Sequence, residues 1–382
     1  MESNPFVYGR EVSGDNFYGR ENDLERLTSQ LGGGSANVVL YAPRRYGKTS
    51  LAKIALAALE KEGARCIYFD MMRVESVHKF CQAYASSVYA LERGAGRVVR
   101  SIGKALSSLR PKLSIGDDGN PSLELDMAAP VSAATLESVL RLPELFATKK
   151  RPVIVAFDEF QEIGTLSPTL PLEGIFRSCI QSQANVRYLF LGSKTHLMKR
   201  MFGDKARPFY NSATMLRLDI PPSGESTAFV AGRFKAAGMK ADNKAVDAIV
   251  SASRGVPYYI QTISAYTFDL AAKAGRHDID ETCVTEAIDA LVEAKSDFYE
   301  TALQSLSPAQ RALLEALATA PAGRFDSAYR AAHGLGGSSS VHSSLEALLT
   351  KGYVESTGGR FALPDPLLIR YLAQAPYQIF SE

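Results

Sequence analysis

Nine residues, Ala42-Pro43-Arg44-Arg45-Tyr46-Gly47-Lys48-Thr49-Ser50, constrain this chain more than any other stretch. They follow an apolar run, Val38-Val39-Leu40-Tyr41, and precede a helix-like pattern, Leu51-Ala52-Lys53-Ile54-Ala55-Leu56. The order is strand, loop, helix, with Gly-Lys-Thr at the helix start. Successive backbone N–H groups in such a loop wrap a phosphate chain, and the positive end of the helix dipole faces it. Lys48 then reaches the β- and γ-phosphates, and the Thr49 hydroxyl holds Mg²⁺. The usual first glycine of a P-loop is replaced by Ala42. One methyl group is a small insult, and the loop is expected to survive it. The plain alternative is an ordinary strand-to-helix turn.

A second motif argues against that alternative. Pro152-Val153-Ile154-Val155-Ala156-Phe157-Asp158-Glu159-Phe160 is a continuous apolar run with β-branched residues, ending in two acids. Such a run reads as a parallel strand covered on both faces. Its C-terminal end is where an open α/β sheet binds ligands. Asp158 is placed to orient Mg²⁺ through its water shell, and Glu159 to polarise an attacking water. Phosphoryl transfer needs positioning and charge neutralisation more than covalent chemistry, so these few groups suffice in principle. Alone, the two acids would read equally well as helix-capping carboxylates. Paired with the upstream loop they read as Walker A plus Walker B.

At 382 residues the chain has room for two or three domains. A formal charge of +2 imposes no global affinity for nucleic acid or membrane, so any basic function must be local. Cys66, Cys81, Cys179 and Cys283 show no C-x-x-C spacing and read as reduced structural thiols of a cytoplasmic protein. The five histidines form no cluster with zinc-ligand spacing. No signal-peptide pattern and no apolar run of the ~20 residues a membrane span needs is present, so no membrane partner is expected.

Four further runs extend the sheet: Cys66–Asp70, the Asp-Glu strand, Val186–Gly192 and Met215–Leu218. Strands alternating with helical patterns argue for a parallel α/β sheet. Residues 92–127 interrupt the alternation. Arg93, Arg97, Arg100 and Lys104 form one stripe on a helix, suited to phosphates of DNA or RNA or to an acidic partner; the bland reading is a solvated helix face. Lys112–Ile115 and Ser122–Asp126 then flank a Gly/Asp/Asn turn as a β-hairpin. Near the N-terminus, Asn16-Phe17-Tyr18-Gly19-Arg20-Glu21 leads into a helix and is placed either to cover an adenine or to act as a simple clasp.

After Pro221-Pro222 the strand signals stop. Helices are expected from Ser223 to Gly238, from Asp242 to Gly255, after Pro257 and from Asp280. From about residue 301, three helices opening at Ser307, Asp326 and Ser338 precede a strand–turn–strand over 353–363, which is a winged-helix pattern. The expected organisation is an α/β P-loop domain over 1–220, a helical lid over 221–300 and a winged-helix domain over 301–382.

That order resembles the archaeal-type ATPase family of the STAND/AAA+ group. The shared markers span nearly the whole chain: Phe17–Glu21, Pro43–Ser50, Asp158–Glu162, Leu191–Ser193, Arg207–Tyr210, Gly255–Tyr259 and Asp365–Leu367. The resemblance implies ATP rather than GTP, in keeping with the missing guanine-reading Asn-Lys-x-Asp string. It places Tyr18, Gly19 and Arg20 near the adenine, and Pro43, Arg44, Arg45, Tyr46, Gly47, Lys48, Thr49 and Ser50 around the phosphates. It makes Ser193 a polar sensor and brings Pro257 to the nucleotide from the lid. The family often carries Gly-Arg after its Pro-Phe-Tyr run, where this chain has Asn211-Ser212. Arg207 and Arg254 are the remaining candidates for a phosphate-directed arginine, with surface ion pairing as the alternative for each.

The expected activity is Mg²⁺-dependent binding and slow hydrolysis of ATP, with Lys48, Glu159 and Ser193 as the catalytic set and Thr49 and Asp158 on the metal. The output is a switch acting on the winged helix. Two alternatives stand beside it. One is a DNA-binding regulator using the winged helix and the basic stripe, although residues 338–346 contain no Arg or Lys. The other is a nucleotide-gated scaffold that docks a protein. Both a monomer and a ring are compatible with these motifs.

Overall fold

The computed structural model of the chain describes residues 3–33, 36–91, 111–115, 121–125, 131–167, 169–357 and 359–374. Its strands as far as residue 218 are β1 (Asn37–Tyr41), β2 (Arg65–Asp70), β3 (Pro111–Ile115), β4 (Pro121–Leu125), β5 (Val153–Asp158), β6 (Val186–Gly192) and β7 (Ala213–Arg217). Five of them form one sheet in the order β2-β5-β6-β1-β7. Every pairing in it is parallel. The registers align Asp70 with Asp158 and Tyr41 with Gly192, so the C-terminal ends of β2, β5, β6 and β1 lie along one edge. All six residues of β5 are buried, as a β-branched run between two neighbours and two helical layers demands.

Aromatic packing under this edge is dense. The Phe157 ring lies between 5.6 and 6.3 Å from the rings of Phe69, Phe80, Tyr84, Phe160, Phe176, Tyr188 and Phe190. Asp158 is therefore the residue that follows the best-anchored ring of the core. The helix Lys48–Lys61 begins directly after the glycine-containing loop and buries Leu51, Ala52, Ala55, Leu56 and Leu59.

The hairpin is present, with β3 and β4 antiparallel and Leu113 opposite Leu123, shifted by one residue from the sequence pattern. The basic stripe Arg93, Arg97, Arg100 and Lys104 lies outside the described residues.

The chain divides into two compact units. One comprises residues 20–42 and 48–218; the other comprises 1–19, 43–47 and 219–382. The second unit is helical, and its helix starts follow local capping chemistry. Asp242, Asp280 and Asp326 accept from the backbone of Ala245, Cys283 and Tyr329. Ser307 and Gln310 form a capping box ahead of Pro308–Thr319. The three helices Pro308–Thr319, Ser327–Ala332 and Ser338–Lys351 lead into a two-stranded ladder, Glu355–Thr357 with Arg360–Ala362.

Three features were not expected as such. Helices Ser296–Gln304 and Pro366–Gln374 are nine residues each; the first starts inside the stretch 223–300 that reads as helical, and the second follows the marker Asp365–Leu367. Lys240–Ala241 and Asp278–Ile279 form a two-residue parallel ladder beyond the point where strand signals stop. Finally, one continuous apolar cluster runs from Phe6 and Phe229 through Ile260, Leu291 and Leu314 to Leu348 and Leu368. The helices after Pro222 and the winged-helix elements share this core.

The four cysteines are unpaired. Among the described residues no helix is long and apolar enough to cross a membrane. Phe157→Ala is expected to cost about 3–5 kcal/mol, read as an earlier urea transition of the sheet unit. Burial pushes the thiols of Cys66 and Cys81 up to about 12. Both are therefore expected to resist iodoacetamide at pH 8 until denaturant is added.

Candidate functional site

The edge formed by the C-terminal strand ends gathers the predicted chemistry of the sheet unit. Thr49 is the second residue of its helix, and its hydroxyl donates to Asp158 Oδ2 at 2.8 Å. The Tyr68 hydroxyl, from β2, donates to the same oxygen. Burial first, then the hydrogen bond to Asp158 and that carboxylate's charge, hold the Tyr68 phenol well above its ordinary range. It therefore remains a donor. Asp158 Oδ1 accepts the backbone N–H of Glu159 at 2.8 Å. Lys48 is buried and its ammonium donates to the Ala42 carbonyl at 2.8 Å. Ala42 has no positive φ, so its position makes no demand for glycine, whereas Gly47 at φ 87° does.

Glu159 sits in the left-handed region at φ 50°, a conformation that turns its side chain away from the line of β5. Its Oε2 accepts from the Ser193 hydroxyl at 2.6 Å and from the Ser193 backbone N–H at 3.3 Å. The Gln161 amide donates to the same oxygen. Burial raises the pKa of this carboxyl, but the Ser193 and Gln161 hydrogen bonds and the charge of Lys48 outweigh it, and the net displacement is downward. Glu159 is thus held ionised, as a base must be.

Mg²⁺ fits these donors. It favours one or two carboxylates plus substrate phosphates over an all-protein cage. Thr49 and Asp158 supply two hard oxygen donors side by side. Among the described residues no group of three or more His, Cys, Asp or Glu gathers into a separate metal cage.

The loop segment Pro43–Gly47 belongs with the helical unit, where Arg45 makes its contacts. At φ 73°, Arg45 is a second left-handed residue. Its guanidinium pairs with Asp365 at 2.8 Å and contacts the Tyr259 hydroxyl. It also lies 4.8 and 5.0 Å from the ring centres of Tyr258 and Tyr259. Asp365 in turn accepts the backbone N–H groups of Leu367 and Leu368 and so caps the last helix. Asp365 was visible in the sequence only as part of a family marker. Gln161 too was visible only within the marker Asp158–Glu162, and Tyr68 carried no signal of its own.

The family model described as "ATPase domain predominantly from Archaea" matches residues 17–263. The chain belongs to this family. A second model, described as "Probable winged helix domain", matches residues 297–374. Among solved structures, a Walker-type ATPase of Pyrococcus abyssi is similar at TM-score 0.68 and 16% identity, over 97% of this chain and 99% of that one. The ORC2 protein of Aeropyrum pernix in ADPNP and ADP complexes is similar at TM-score 0.54 and 16% identity, over 97% and 96%. The ORC1 protein of the same organism, in complex with DNA, is similar at TM-score 0.51 and 16% identity, over 94% and 93%. A comparison with curated protein sequences found no match.

The remaining residues expected at the site are distributed as follows. Arg44 is exposed and Ser50 buried in the first turn of its helix. Tyr46 packs against the core of the helical unit. Arg20 is buried and pairs with Asp23 at 2.9 Å. Tyr18 stacks on Phe229 with ring centres 4.0 Å apart. At Gly19, φ 60° and a Cβ position 3.0 Å from Pro221 both favour glycine. Pro257 is the first residue of helix Pro257–Lys273. Arg254, at φ 52°, donates to the Leu363 carbonyl at 3.4 Å. Arg207 is engaged in an ion pair with Glu173 within the sheet unit.

Gly192, just before Ser193, has no room for a side chain. A Cβ there would collide with Met198 and lie 2.7 Å from Gln161 Oε1. Gly192→Ala is expected to destabilise the sheet unit by about 1–3 kcal/mol, measured as a lower urea midpoint.

Proposed function

We propose that this ATPase binds Mg-ATP, hydrolyses it slowly and passes its nucleotide state to the winged helix through the phosphate loop. The observation that carries this reading is Arg45: a loop residue whose guanidinium is held by Asp365, Tyr258 and Tyr259. The loop that must wrap phosphates with its N–H groups is thereby also a ligand of the C-terminal region. A bound triphosphate attracts the same guanidinium, so phosphate and Asp365 compete for it. That competition is a differential affinity, the one thing by which a ligand can bias two states.

Within the sheet unit, Lys48 grips the β- and γ-phosphates, Thr49 and Asp158 hold the metal, and Glu159 takes the proton of the attacking water. Bound there, Mg²⁺ would neutralise charge on the phosphate oxygens. Slow turnover follows from the chain's arginines: Arg207 is already paired with Glu173, and the family's usual arginine is replaced by Asn211-Ser212. The unpaired cysteines favour a reducing, cytoplasmic setting.

The exposed face of Ser338–Lys351 carries Ser338, Ser339, Ser340, His342, Ser343 and Glu346, with His342 beside Glu346 at 3.5 Å. Its Lys351 donates to the Ser305 carbonyl. A face whose cation stands only at its last residue, Lys351, favours a protein partner over base readout. The DNA complex of the structurally similar ORC1 protein nevertheless makes DNA a required arm of the test.

ATP hydrolysis is to be measured with and without mixed double-stranded DNA at two salt concentrations. Lys48→Ala is expected to abolish ATP binding, and Glu159→Gln to keep binding while losing hydrolysis. DNA stimulation lost at high salt would move the output to nucleic acid. Asp365→Asn is expected to tighten Mg-ATP binding about fivefold or more, seen by calorimetry. An unchanged affinity would remove the coupling and leave the ATPase.

A further inference from the structure

Gln161 makes no use of the phosphates, the metal or the apolar core, yet it is only 5% exposed. It lies in the 3-10 turn Phe160–Thr165 that starts from the left-handed Glu159. Its Nε2 faces two carboxylates at once, Glu159 Oε2 and, at 3.3 Å, Glu162 Oε1. Only one amide orientation is compatible with that, because the flipped form would set Oε1 against both anions. Glu162 is itself held by Lys194 Nζ at 2.8 Å, the residue after Ser193. The opposite end of the amide, Oε1, is buried without a hydrogen-bond partner and rests where a side chain on Gly192 would stand.

A buried amide that leaves its own oxygen unsatisfied gains little stability, since that oxygen was desolvated for no bond. What its placement does provide is a third donor on Glu159 Oε2, beside the two from Ser193. With Oε2 fixed from two directions, the carboxylate plane is set and Oε1 of Glu159 keeps a defined direction.

We infer that Gln161 is a positioning residue for water activation, fixing the rotamer of Glu159 through its amide. This rests on the proposed role of Glu159 as base. Lys194 and Glu162 extend the same support, and glycine at 192 leaves room for Met198 and the amide together.

Two variants test this. Gln161→Met keeps the length of the side chain and removes both the donor and the orphaned oxygen. Gln161→Glu places an acceptor against Glu159. Single-turnover cleavage, Mg-ATP affinity and urea midpoint are to be measured for both, with Glu159→Gln as control. The expected result is a rate loss of about 10- to 100-fold, with affinity within about twofold and the Gln161→Met midpoint at or above wild type. An unchanged rate in Gln161→Met with Glu159→Gln inactive overturns the positioning role alone. Rate, affinity and midpoint falling together also overturn it, by showing a merely structural residue. A faster Gln161→Met overturns it by showing that the amide restrains Glu159. A wild type that never cleaves ATP, or a Glu159→Gln as fast as wild type, removes the base reading and the inference with it.

Discussion

The candidate chemistry of this chain depends on a strand that has no contact with water. β5 is buried along its whole length, paired in parallel on both sides, and ends in Asp158. Parallel pairing aligns strand ends, so one edge receives the ends of β1, β2, β5 and β6 together. With both faces buried and the Phe157 ring set among its neighbours, the strand cannot slip in register without breaking that packing. Thr49 and Tyr68 meet Asp158, and Ser193 meets Glu159 beside it, because that register is fixed.

Local conformations then aim the side chains. Among the described residues, the non-glycine positions with positive φ are Arg45, Glu159, Asn211 and Arg254. Each such residue costs free energy that surrounding contacts must offset. At Glu159 the hydrogen bonds from Ser193 and Gln161 supply that offset. At Arg45 the ion pair with Asp365 and the two tyrosine rings do so.

What could be read in the sequence was whatever is encoded within a few residues. The strand runs, the Gly-Lys-Thr helix start, and the capping residues Asp242, Asp280, Ser307 and Asp326 each act on neighbours in the chain, and each appears where the pattern put it. Arg45 and Asp365 are 320 positions apart, and nothing in Arg-Arg-Tyr indicates which arginine will find an acid or where. Gln161 stands in the family marker Asp158–Glu162, which assigns it no contact. Its meaning comes from Gly192 and Ser193, which reach it only when β5 and β6 pair. Tyr68 looked like one more β-forming aromatic, because a hydroxyl's partner is set by the next strand and not by its own.

The apolar cluster common to the helices after Pro222 and to the winged helix has a mechanical consequence. With Leu291, Leu314, Leu348 and Leu368 in one cluster, no cleavage plane separates the C-terminal elements from the helices before them. A chain cut near residue 300 would expose two halves of a core, each with an open apolar face. The winged helix here is not a detachable cassette to be exchanged among proteins of similar layout. It buries its apolar side in the same core as the helices that begin at Ser223.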